Sequence, residues 1–125
     1  MSITHKLSYS ISSDNSPSLS GVESEVGATE ITLDVTYAAS LTNQLQAMAF
    51  TVANVQSLFL VSDKGLVIKT NSGGSPANTI TLKPGIPLPW GASAGYFANP
   101  FTVDVTAFYI TTTVSSRLQL KILTS

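Results

Sequence analysis

The stretch Val55-Gln-Ser-Leu-Phe-Leu-Val-Ser62, Asp63-Lys-Gly65, Leu66-Val-Ile-Lys-Thr70 and then, past a polar loop, Thr79-Ile-Thr-Leu82 reads as three β-strands in succession. Leu58, Phe59, Leu60 and Val61 are apolar without alternation, which predicts a strand covered on both faces. Ser62-Asp63-Lys64-Gly65 has the composition of a tight turn with glycine supplying φ > 0, so Val55 to Thr70 is expected to fold as a buried hairpin. The connection from Asn71 to Asn78 is too rich in small residues for helix. Thr79 to Leu82 alternates like a half-exposed strand with Ile80 and Leu82 turned inward.

Working outward, the N-terminal segment sets Ile3, His5, Leu7, Tyr9 and Ile11 on one side and Thr4, Lys6, Ser8 and Ser10 on the other, a strand signature. Ser12 to Gly21 is Ser, Asp, Asn, Pro and Gly with one leucine; it cannot support a core and is expected to be an extended, mobile loop. Val22 to Glu30, with Glu23, Glu25 and Glu30, reads as an acidic solvated edge; a cation site or a contact with a basic partner is the alternative. Ile31, Leu33, Val35 and Tyr37 mark a second clean strand. In Ala38 to Ala49 the spacing of Leu41, Leu45 and Met48 allows a short helical turn before a strand at Ala49 to Val52, the alternative being one long strand through Gln46 to Val52. Phe101 to Ala107 alternates, Phe108 to Ile110 continues it, and Leu118, Leu120 and Ile122 mark a last strand. Together these give about eight short strands without a helix-length segment between them, so the expected fold is one all-β domain over residues 1–125, an antiparallel jelly-roll-like β-sandwich.

Composition narrows function. Hydrophobic residues make up 43% of the 125 residues but charged ones only 10%, against a usual ~25%, so Ser and Thr must fill a neutral, hydrogen-bonding surface. A formal net charge of -1 with scattered Lys and Arg offers no attraction to nucleic acid or an anionic membrane. No apolar run approaches ~18 residues and Met1-Ser-Ile-Thr-His-Lys6 lacks a hydrophobic signal region, which predicts neither membrane spanning nor export but synthesis in a cytoplasm. The absence of cysteine excludes disulfides and thiolate metal sites.

Chemistry-bearing motifs are few. Gly91-Ala-Ser-Ala-Gly95 matches the G-x-S-x-G nucleophile elbow, but that elbow needs a buried strand before it, a helix after it and a later histidine. Here prolines precede, Tyr96-Phe-Ala-Asn-Pro100 follows, and the sole histidine is His5, expected to be a partly buried structural residue or part of a disordered terminus. One histidine cannot build a multi-histidine metal site, and no phosphate loop or dinucleotide fingerprint is present, so neither catalytic residues nor a cofactor or metal is expected. Lys83 to Pro100 is the most distinctive segment: Pro84, Pro87 and Pro89 stiffen it into a connection or arm, and it gathers Trp90, Tyr96 and Phe97 ahead of Phe101 around Gly91 to Gly95. Such aromatics cap one end of a sandwich, form a protein interface or offer a sugar platform.

Val55 to Asn71, Leu82-Lys-Pro-Gly-Ile-Pro-Leu-Pro-Trp90 and Asn99-Pro-Phe-Thr-Val-Asp-Val-Thr106 resemble segments of small all-β virion structural proteins of tailed bacteriophages, through a rhythm of short strands with Thr-rich faces over the second half of the chain. The resemblance implies decoration or assembly rather than chemistry. The expectation is a capsid decoration protein in the virion, a homo-oligomer (trimer or larger ring) that binds other virion proteins such as the major capsid protein. The stiff arm with Trp90, Tyr96, Phe97 and Phe101 and an uncovered strand edge are its expected interface. A tail or neck subunit and a carbohydrate-binding module using Trp90, Tyr96 and Phe97 are the alternatives.

Overall fold

The computed structural model describes residues 2–125. Its described residues form ten strands and one short 3-10 turn (Val52–Asn54). In chain order the strands are β1 (Ile3–Ile11), β2 (Leu19–Gly27), β3 (Thr29–Tyr37), β4 (Gln44–Gln46), β5 (Val55–Ser62), β6 (Leu66–Thr70), β7 (Thr79–Leu82), β8 (Leu88–Gly91), β9 (Phe108–Thr111) and β10 (Ser116–Thr124). All pairings are antiparallel. β3 pairs with β10, β4 with β9, β5 with β8 and β6 with β7, so the pairs nest one inside the next. Pairing of β10 with β5 and of β9 with β6 joins them into two four-stranded sheets, β3-β10-β5-β8 and β4-β9-β6-β7. β1 and β2 stand apart as a two-stranded hairpin.

Alternation decides the core. Leu118, Leu120 and Ile122 of β10 and Leu58 and Leu60 of β5 share one face of the first sheet, and Leu66 and Ile68 of β6, Ile80 and Leu82 of β7, and Phe108 and Ile110 of β9 share one face of the second. These faces meet in a single apolar cluster, the arrangement of a β-sandwich-like all-β fold. Each fully buried Leu, Ile or Phe there contributes roughly 1.5–3 kcal/mol of transfer free energy.

Several expectations are corrected. β5 and β6 do not form a hairpin: they lie in different sheets, and Ser62 to Gly65 is a corner between them. Gly65 has the expected positive φ of 80°. The carbonyl of Ser62, however, accepts from Gly85 N (2.7 Å) instead of closing a hairpin. The Leu58 to Val61 run is covered on one face only, because Phe59 points outward and is exposed. No helix forms between Leu41 and Ala47, nor does a long strand run from Gln46 to Val52; β4 is three residues long, and Phe50 makes only an isolated bridge to Val105. Phe101 to Ala107 is likewise irregular, since Asn71 takes over as its partner, donating to Asp104 O (2.8 Å) and accepting from Thr106 N (2.8 Å). The loop expected over residues 12–21 is shorter: β2 begins at Leu19, opposite Ile11. Val22 to Glu30, expected as an acidic solvated edge, contributes to β2 and β3, and its Glu25 is buried.

Candidate functional site

The base of the β1–β2 hairpin lies over the outer face of the first sheet. Glu30, Leu123, Ser57 and Gly91 form a row across β3, β10, β5 and β8, and cross-strand neighbours point to one face. Leu123 and Ser57 in that row are fully buried although they face away from the core, as is Leu7 on β1 nearly so. Polar clamps hold the hairpin there. His5 Nε2 donates to Glu30 Oε2 (2.5 Å), and with the ring neutral its Nδ1 accepts from the Ser57 hydroxyl (2.6 Å). This is a serine–histidine–carboxylate chain, but with the two ring nitrogens exchanged relative to a hydrolase triad, in which Nε2 faces the serine and Nδ1 the carboxylate. Ser57 also has no solvent exposure, and exposing it requires lifting β1, which carries His5 away. The chain of contacts therefore works as a clamp between β1, β3 and β5.

The second clamp uses the residues of the G-x-S-x-G match. Glu25, only 4% exposed, accepts from the Ser93 amide (2.9 Å) and from the Ser93 hydroxyl. Glu23 accepts from Ala94 N (3.1 Å), and a Cβ at Gly91 would overlap its carboxylate, so glycine is what lets β2 approach β8. A hydrogen bond to the Glu25 carboxyl raises Glu23 above its ordinary value, with burial adding to the rise. Burial pushes Glu25 up as well, but hydrogen bonds from Glu23 and from both Ser93 donors outweigh it and hold Glu25 below its ordinary value. Gly91 and Ser93 are thus a seat for two glutamates. Those glutamates were missed as inward residues, although their i, i+2 spacing on a strand puts them on one face.

Between the hairpin and the segment from Leu88 to Pro100 runs a cleft of about 960 Å³, bordered by Tyr9, Val22, Trp90, Tyr96, Phe97 and Pro100 among others. β8 is the last strand of its sheet, so its outer edge is unpaired along this cleft. Trp90 is half-buried, packs against the core and donates its indole N–H to Phe97 O (2.8 Å), which fixes the loop. Tyr96 and Phe97 are 86% and 82% exposed. Phe101 is not with them: at 1% exposure it sits in the core, stacked on Phe108 (5.9 Å) and edge-on to Phe50 (5.3 Å), and it cannot contribute to a contact of the folded chain. Beyond the clamps the hairpin projects freely, with Ser8 to Ile11 and Leu19 to Val22 exposed on both faces.

Among the described residues no group of three or more His, Asp or Glu is placed to hold a metal ion. No helix among the described residues is long and apolar enough to cross a membrane. The chain matches no family model, no curated protein and no solved structure.

Proposed function

We propose that the chain is a virion structural protein, a capsid decoration subunit that works by associating with copies of itself, as a trimer or larger ring, and with other virion subunits such as the major capsid protein. The observation that carries this reading is the projecting hairpin. An isolated two-stranded hairpin is marginally stable in water, yet this one extends past its clamps with Tyr9, Ile11, Leu19 and Val22 exposed. Surface of that kind gains its cover from a partner. The nesting of the strand pairs supports reading the two sheets as an eight-stranded jelly roll, an architecture used by capsid proteins among others. Fold does not choose between head, neck and tail, and placement as a tail or neck subunit is the neighbouring version of the same reading.

A carbohydrate-binding module is the rival. Sugar recognition needs polar groups free to hydrogen-bond beside an aromatic face, and here Glu23, Glu25, Ser93 and the Trp90 N–H are engaged within the protein. Size-exclusion chromatography with light scattering tests the choice. A stable trimer or larger assembly is expected; a monomer whose Trp90 fluorescence shifts on adding oligosaccharide would overturn the proposal.

A further inference from the structure

Resting on that reading and naming its contact, we infer that the cleft beside β8 receives the hairpin tip of a second copy of this chain, with Ile11 and Leu19 of one copy packing on Trp90, Tyr96 and Phe97 of the other. The chain's own tip does not fill the cleft. Tyr9 and Val22 border it, whereas Ile11 and Leu19 lie further along the hairpin and face solvent.

Charge is sparse on both surfaces. From Leu88 to Pro100 there is no charged side chain, from Ser8 to Val22 the only one is Asp14, and Glu23 is the one carboxylate that lines the cleft. A highly charged partner would lose water from its charges with only Glu23, already accepting from Ala94 N, to answer them. The tip of a second copy brings a single charge, Asp14, at the turn beyond the apolar side chains that make the contact. Glu23, Ser93 and the Trp90 N–H in the cleft wall are already engaged within the chain, and Tyr96, Phe97 and Pro100 beside them offer apolar surface to cover. The tip supplies aliphatic side chains and the cleft aromatic ones. Both also offer unpaired backbone: β8 has a free outer edge, and in the tip β1 and β2 pair only with each other. A tip laid along β8 brings free strand edges together, though Pro89 removes one donor from the row.

The absence of cysteine allows a direct test. Leu19→Cys and Phe97→Cys alter exposed residues, so each variant is expected to fold as the parent does. Mixed in equal amounts with one variant mass-tagged and then mildly oxidised, they are expected to form a Leu19→Cys/Phe97→Cys heterodimeric disulfide, which requires Cα atoms within roughly 7 Å. Leu19→Cys mixed with Thr81→Cys, an exposed position on β7, is expected to form none. As a second measurement, Ile11→Ser/Leu19→Ser and Phe97→Ser are each expected to shift the assembly toward monomer while leaving the β spectrum unchanged. An intact oligomer that forms no Leu19→Cys/Phe97→Cys link, or links equally to Thr81→Cys, overturns this contact and leaves the assembly reading standing. A parent protein that is monomeric at every concentration overturns both.

Discussion

Phe97 and Phe101 stand close in one aromatic run but in opposite environments, and the cause is local. Asn99 Oδ1 accepts from Phe101 N (3.0 Å), a side-chain turn that redirects the chain from the surface into the core. The residues between them show no periodicity that would separate an inward phenylalanine from an outward one, which is why Phe101 is misplaced by a reading of sequence alone. The difference is measurable. Phe101→Ala removes a ring packed against two others and should cost about 3–5 kcal/mol, whereas Phe97→Ala should stay within about 0.5 kcal/mol; urea midpoints of the two variants check this. Gly65 was legible, because Asp-Lys-Gly between apolar runs states its turn chemistry openly. At φ 80° an added Cβ would sit 2.7 Å from Leu82 O. Gly65→Val should therefore cost more than about 1 kcal/mol, while Lys64→Ala, on the exposed side of the corner, should change the midpoint by less than about 0.5 kcal/mol.

Among the elements, β3, β7 and β10 were readable because their apolar residues face the core at period two. β2 was not, because its polarity is inverted: Glu23 and Glu25 face the protein, and Val22 and Val26 face solvent. A strand that turns carboxylates inward needs donors waiting for them, and those donors are backbone amides of a distant loop that sequence does not bring near. The corner after β5 was misread for a related reason, since turn composition does not say which sheet the next strand joins. The glutamate pair gives the hairpin a pH dependence. Glu23, raised by its bond to Glu25, contributes attachment that is present at low pH and lost as pH climbs through its raised value. Glu25, lowered by Glu23 and Ser93 against the effect of burial, contributes attachment that is present at higher pH and lost as pH falls through its lowered value. The two limits bracket the ordinary carboxylate range. Amide hydrogen exchange, corrected for intrinsic rates, should show the base of β1–β2 best protected in that mildly acid window and less protected on either side. Glu23→Gln, whose amide donates to Glu25 as the protonated acid does, should keep the protection at neutral pH; a variant as labile as the parent would remove the shared proton from the account.

At the scale of the molecule, charge is sparse and largely spent internally. Arg117 grips Asp34 with two hydrogen bonds (2.8 and 2.6 Å), which holds the Asp34 carboxyl below its ordinary value, and His5 is bonded to Glu30. Of the edge strands of the two sheets, β4, β7 and β8 are only three, four and four residues long, while β3, like both hairpin strands, runs to nine. The core thus draws on the facing sheets, whereas the proposed contact between copies draws on hairpin and cleft. Replacing Ser8 to Val22 with an Asn-Gly turn closes the hairpin directly between Leu7 and Glu23, which are cross-strand neighbours, and preserves both clamps. This shortened chain should melt within a few degrees of the parent, because none of the deleted residues belongs to the buried core, and yet run as a monomer. Raising salt to the molar range should leave assembly of the parent unchanged, since screening acts on exposed charges and the proposed contact contains almost none. If the shortened chain assembles as the parent does, the hairpin is not the contact; if salt alone dissociates the parent, charged groups elsewhere hold the copies together.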